Sequence, residues 1–206
     1  MNWSKASRRV ADLYLWRGVP KNVIERYLHN PFSLIANTYD PVFKLFPPDK
    51  ATEILEEASR ILEVEEFEAL SKATAVPSCE EVLQWLKERK IHVGVVSTIS
   101  HRIVLRLLQK LELAGFIEKV VARDVLVKMK PYPDQIKLCL ERMGCSQEDA
   151  VVVGVDEDDV RAAKALQMHI IIVLPESHSV IAELLDVKTD SMVENLNALL
   201  AFFNQL

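Results

Sequence analysis

A doubly wound parallel α/β sheet with a helical module in front of it is the architecture this 206-residue sequence predicts. Three observations lead there. From Ala75 onward, short β-branched runs alternate with segments of helical periodicity, the pattern of a βα repeat. Those runs are nearly continuous in apolar residues, as strands buried on both faces are, and do not alternate as half-exposed strands do. Before Ala75 such runs are missing and helical spacing prevails.

In the first third, Ser4 to Trp16 and Lys21 to His29 have helical spacing and are separated by Gly18-Val19-Pro20. Pro31, Pro41 and Pro47-Pro48 interrupt the stretch after His29, and Phe32 to Tyr39 is the one strand candidate in this part. Lys50 to Leu70 reads as a glutamate-rich helix, and a boundary falls near Thr74 to Pro77, dividing a module of residues 1–75 from a core of residues 76–206. In the core, Ile91 to Val96, Val120-Val121, Ala150 to Val155 and Ile170 to Val173 are the expected strands. Cys79 to Lys90, Ser100 to Leu113, Pro133 to Met143 and Glu157 to Leu166 are the helices between them, each apolar on one face. Met192-Val193 suits a short edge strand and Leu196 to Phe203 a closing helix.

Composition narrows the function classes. Half the residues are hydrophobic and 27% are charged, so the chain can bury a core, and no apolar run approaches the ~18 residues that span a bilayer. Neither a membrane nor a nucleic acid is an expected partner: 25 basic against 30 acidic residues leave a net charge of -5, without the basic surplus that phosphate backbones attract. The helix pair around Gly18 does not match a helix-turn-helix, because its turn has the wrong length and Pro20 suits an ordinary helix start. Three cysteines without a CxxC pair fit a reducing, cytoplasmic setting, and no apolar targeting segment follows Arg8-Arg9. The five glycines are scattered, which excludes GxGxxG and Walker A loops.

In an open parallel sheet, ligands bind beyond the carboxyl ends of the strands, and three such places carry polar residues. Ser97 and Thr98 follow IHVGVV and precede a helix, where hydroxyls and helix amides together suit an anion; helix capping is the alternative reading. Lys128 and Lys130 precede Pro131 and Pro133, so an ammonium is held in a set direction near a helix start, or simply lies on the surface. Asp156, Glu157, Asp158 and Asp159 follow AVVVGV, where a hard divalent cation would relieve carboxylate repulsion, or where acid simply suits the helix dipole.

On these residues the chain resembles the haloacid dehalogenase superfamily, in particular its phosphoglycolate phosphatase and pyrophosphatase types with a helical cap. VPSCEEVLQWLKERKIHVGVVSTIS resembles the stretch leading to motif II, VLVKMKPYPDQI resembles motif III, and VVVGVDEDDVRAAKALQM is similar to motif IV. The resemblance implies a Rossmann-like core with an N-terminal α-helical cap. It also implies a phosphate-binding role for Ser97 with Thr98, a catalytic role for Lys130, and Mg2+ held by Asp156 and Asp159. A small phosphorylated molecule is the implied substrate.

In two places the sequence departs from the family pattern. Val155 stands at the first acidic position of motif IV, and the family's nucleophile motif, DxDxT, does not occur in this sequence. RRVADLYLWRGVPKNVIERYLHNPF resembles the start of the cap, so the sequence is expected to begin just after that motif. Asp40, in LIANTYDPVF, is the nearest substitute if a short strand precedes it. The expected function is phosphomonoester hydrolysis that is weak or lost, with a non-catalytic phosphate-binding or protein-interaction module as the alternative and self-association through an exposed sheet as a further possibility. If the central strand is absent, either the runs ending at Val96 and Val155 pair directly, or another segment or another chain fills the slot, or the sequence is a fragment of a longer one.

Overall fold

The structure, a computed structural model, describes residues 3–123, 127–174 and 189–204. The chain forms two compact units: Met1–Ala73 with Ser97–Leu107 and Ala122–Met129, and Thr74–Val96 with Leu108–Val121 and Lys130–Leu206.

The first unit is built on helices α1 (Trp3–Arg17), α2 (Lys21–Ile24), α3 (Pro31–Leu45) and α4 (Pro48–Leu70). Gly18 ends α1 with φ of +90°, and the amides of Gly18 and Val19 return to the carbonyls of Leu15 and Tyr14. Lys21 to His29 is shorter as a helix than its spacing predicts, since after one turn the chain tightens into a 3-10 turn at Glu25–Tyr27. Phe32 to Tyr39 is helix and not strand. The Asn30 side chain accepts from the amides of Phe32 and Ser33 with Pro31 at the first turn, while Leu34, Ile35, Thr38 and Val42 bury a helical stripe. That capping signal and stripe outweigh the strand propensity of single residues. Ala6, Val10 and Tyr14 of α1 are buried in this unit, as are Ile54, Leu55, Ala58 and Leu62 of α4. The Tyr14 hydroxyl lies 3.0 Å from Thr38 Oγ1, and burial pushes it well above the usual phenol range.

The second unit holds the larger sheet. β3 (Val151–Gly154), β4 (His169–Val173) and β5 (Ser191–Val193) are parallel, with Val152 opposite Ile170 and Ile172 opposite Met192. Alternation along β4 divides two cores: Ile170 and Ile172 pack with Ile136, Val160 and Ala163, and Ile171 packs with Val82, Val193 and Leu199. The helices supplying these contacts are α5 (Cys79–Glu88), α7 (Asp134–Met143), α8 (Glu157–Lys164) and α9 (Leu196–Phe203).

β1 (Gly94–Ser100) and β2 (Lys119–Arg123) form a separate two-stranded sheet, and α6 (His101–Lys110) follows β1. β1 begins later than the apolar run IHVGVV. Lys90 takes φ of +58° and the Ile91 amide bonds back to Leu86, so the end of α5 consumes the first residues of that run. Ser97 and Thr98 therefore lie within the strand and not after it. β1 and β3 belong to different sheets and do not pair directly.

Candidate functional site

In the second unit, the end of β3 brings three of the expected residues together. Lys130 Nζ donates to Asp159 Oδ1, both side chains being nearly buried. Asp159 Oδ2 accepts from the Val155 amide at 2.9 Å, so a single carboxylate ties the lysine to the loop after β3. Asp156 Oδ1 accepts from the Asp159 amide at 2.9 Å and caps α8. Helix α8 comes this close because residue 154 is glycine: a Cβ there would stand 2.5 Å from Asp159 Cβ. Lys130 is held from its other side by its amide, which donates to the buried Gln135 side chain at 3.3 Å.

Burial pushes the Asp156 carboxyl above the usual carboxylate range, and the neighbouring Asp159 charge adds to this. Asp158 is raised too, by burial first and by Asp156 second. The corner is thus a set of crowded carboxylates with one ammonium among them. Among the described residues, no group of three or more His, Cys, Asp or Glu side chains could hold a metal. A hard cation such as Mg2+ takes one or two carboxylates and completes its shell with water and substrate oxygens; the two carboxylates expected to hold it, Asp156 and Asp159, stand side by side here, with the Asp159 oxygens accepting from Lys130 and from the Val155 amide.

Ser97 and Thr98 belong to the first unit, in the second half of β1. Ser97 Oγ accepts from the Ile99 amide at 3.1 Å, and the Thr98 carbonyl accepts from Arg123 at 3.1 Å. The next residue in line faces carboxylates. The Ser100 amide donates to Glu66 at 3.1 Å and its hydroxyl to Glu63 at 3.0 Å, while Arg102 donates to Glu63 at 2.7 Å. Glu66 and Arg123 form an almost fully buried pair at 2.5 Å. Sequence reasoning missed Glu63, Glu66 and Arg123. Their only signal was the glutamate richness of Lys50 to Leu70, which does not reveal which glutamates turn inward.

The two lysines of KMK part company. Lys130 serves the second unit, whereas Lys128 Nζ donates to Asp40 at 2.7 Å in the first. Asp40 follows no strand. It sits inside α3, one residue before Pro41, with its carboxylate paired to that ammonium.

The profile of the haloacid dehalogenase-like hydrolases matches residues 28–173, well over half of the chain. The chain belongs to that family. Among curated relatives, a phosphoglycolate phosphatase of Nitrosococcus oceani is 28% identical over 120 residues, 58% of this chain and 53% of that protein. A phosphoglycolate phosphatase of Escherichia coli strain K12 is 32% identical over 89 residues, 43% of this chain and 35% of that protein. The chain thus spans between a third and about half the length of these relatives. A solved hydrolase from Pseudomonas syringae superposes with a TM-score of 0.64 at 17% identity, covering 98% of this chain and 91% of that one. A haloacid dehalogenase-like family hydrolase from Streptococcus pneumoniae gives a TM-score of 0.61 at 15% identity over 98% and 92% of the two chains. Likeness at this identity shows a shared fold: a family α/β core with a helical cap.

Proposed function

We propose that this chain retains part of a phosphate-handling and cation-handling site of the phosphoglycolate phosphatase type but turns over phosphomonoesters weakly or not at all. The observation that carries the reading is the buried Lys130–Asp159 pair fixed to the Val155 amide, with Asp156 beside it at the end of β3. An ammonium so held stabilises charge on a phosphoryl group, because its direction is set before the ligand arrives. Mg2+, when bound, would supply further neutralisation of the phosphoryl oxygens from Asp156 and Asp159. Ser97 and Thr98 are the proposed phosphate hydroxyls, on the strength of the motif resemblance. The carboxylates of Glu63 and Glu66 around Ser100 work against an anion at that place.

What limits turnover in this reading is the attacking group. DxDxT does not occur in the sequence, and Asp40, the substitute, lies in a helix with Lys128 on its carboxylate. Release of p-nitrophenol from p-nitrophenyl phosphate with Mg2+ tests this. We expect no release above the buffer rate, and turnover that disappears in Asp40→Ala contradicts the lost-nucleophile reading. A small phosphorylated molecule is the proposed ligand in either case, and a non-catalytic binding role in the cytoplasm is the form the function takes if no turnover is found.

A further inference from the structure

The solvent face of α1, in the first unit, carries a line of side chains that the packing of the unit does not use. Ala6, Val10 and Tyr14 turn inward, while Lys5, Arg9, Asp12 and Trp16 are all exposed. Steps of four, three and four residues keep these four on one narrow stripe, the spacing of a seam between two packed helices. Trp16 is 76% exposed, the highest value among the large hydrophobic side chains described. Its ring is nevertheless held. The Arg17 guanidinium lies 4.9 Å from the indole centroid, and Arg17 is itself anchored on α4 by Glu53 at 2.8 Å and Glu57 at 3.1 Å. One face of the indole is thereby covered, and the other is already ordered for whatever packs on α1.

The order of the four side chains identifies that occupant. Positions 5 and 16, like positions 9 and 12, are centred on one point between Val10 and Ala11. A second copy of α1 laid antiparallel about that point sets Lys5 of each copy on Trp16 of the other, and Arg9 of each on Asp12 of the other. Both pairings attract, the first as an ammonium on an aromatic face and the second as a guanidinium on a carboxylate. Lys5 and Trp16 stand about 16 Å apart along the helix, so they meet only across two copies. An anionic membrane or an acidic peptide matches the cations but meets Asp12 as a like charge in the middle of the line. The reversed copy gives every member a counterpart.

We infer that two copies of this chain associate through α1 as an antiparallel, two-fold helix pair, with the Arg9–Asp12 and Lys5–Trp16 contacts each made twice. The surface is a helix face and not a sheet. One 15-residue helix from each copy makes a contact below the ~1,200 Å² of a standard interface, so the dimer is weak and exchanges readily.

Sedimentation equilibrium of the full chain tests this at concentrations up to about 1 mM, where contacts of this size assemble. The weight-average mass should rise from 23.4 kDa toward twice that value. Arg9→Glu sets acid against Asp12 of the copy, and Asp12→Arg sets base against Arg9, so each variant alone should associate at least about tenfold more weakly. An equimolar mixture of the two variants should regain most of the association, because both crossed pairs then join acid with base. A contact elsewhere on the molecule, or a loss of folding, gives no such rescue. Should either variant melt early, Trp16→Ala leaves the charges in place and should weaken association as well. A monomer throughout the concentration range, a dimer indifferent to all three variants, or a mixture as weak as its components overturns the inference.

Discussion

At Gly154 a single hydrogen atom lets α8 approach β3, and the position of Asp159 depends on it. Asp159 cannot swing away from an added methyl, because Lys130 and the Val155 amide hold its two oxygens. Gly154→Ala should therefore cost about 2 kcal/mol, within the range for an overpacked core, as read from urea unfolding. A loss below about 0.5 kcal/mol would mean that Asp159 is free to move. Asp156 gives a pH signature. Its carboxyl is raised by burial and by Asp159, so the folded state holds its proton more tightly than the unfolded chain does. The stability this contributes is complete below the ordinary carboxylate value of 3.8 and is lost as pH rises through the raised value. Asp156→Asn keeps a capping side chain and removes the titration, so its unfolding free energy should fall less steeply with rising pH above 3.8 than that of the unchanged protein. Parallel pH profiles would contradict this assignment.

At the scale of elements, the buried Arg123–Glu66 pair links α4 to β1 and β2 inside the first unit, through Ser59, Thr98 and Ser100. Removing one member leaves a buried charge, whereas replacing both with apolar residues leaves none. Arg123→Met alone should cost about 3 kcal/mol, and adding Glu66→Leu should recover most of it in a double-mutant cycle. Additive losses would show that the two side chains are not coupled. Elements were the most legible level of the sequence. The runs at Val120-Val121, Ala150 to Val155 and Ile170 to Val173 became β2, β3 and β4 because continuous β-branched residues favour strands, although Val151, Val153 and Val155 on β3 are exposed where burial on both faces was expected. Three elements were misjudged for local reasons, Lys21 to His29 among them, where the chain tightens into a 3-10 turn after one helical turn. Phe32 to Tyr39 went to helix through its Asn30-Pro31 start, and IHVGVV lost its first residues to the left-handed end of α5. The proximity of Asp156 and Asp159 was legible, because they lie three residues apart on one helix start. Glu63 and Glu66 were not legible, since their partners lie 34 or more residues away.

At the scale of the molecule, no described helix is long and apolar enough to cross a membrane. Among the described residues the strands form two sheets, β1-β2 and β3-β4-β5, and Val96 of β1 packs on the same apolar cluster as Val152 of β3. Burial converges on β4, whose Ile170, Ile171 and Ile172 are almost wholly enclosed, and thins toward β3, whose valines meet solvent. The Lys130–Asp159 corner is tied by the Val155 amide at the β3–α8 turn and by Gln135. Under the proposed function, ligand binding and turnover separate in one chain. Thermal unfolding in inorganic phosphate with Mg2+ probes that separation, with the Lys130→Met variant measured alongside against its own phosphate-free baseline. The melting temperature should climb with phosphate in the unchanged protein, by about 2–4 °C per kcal/mol of binding, and stay level in the variant. Equal shifts in both proteins, or none in either, would refute a phosphate site built on Lys130.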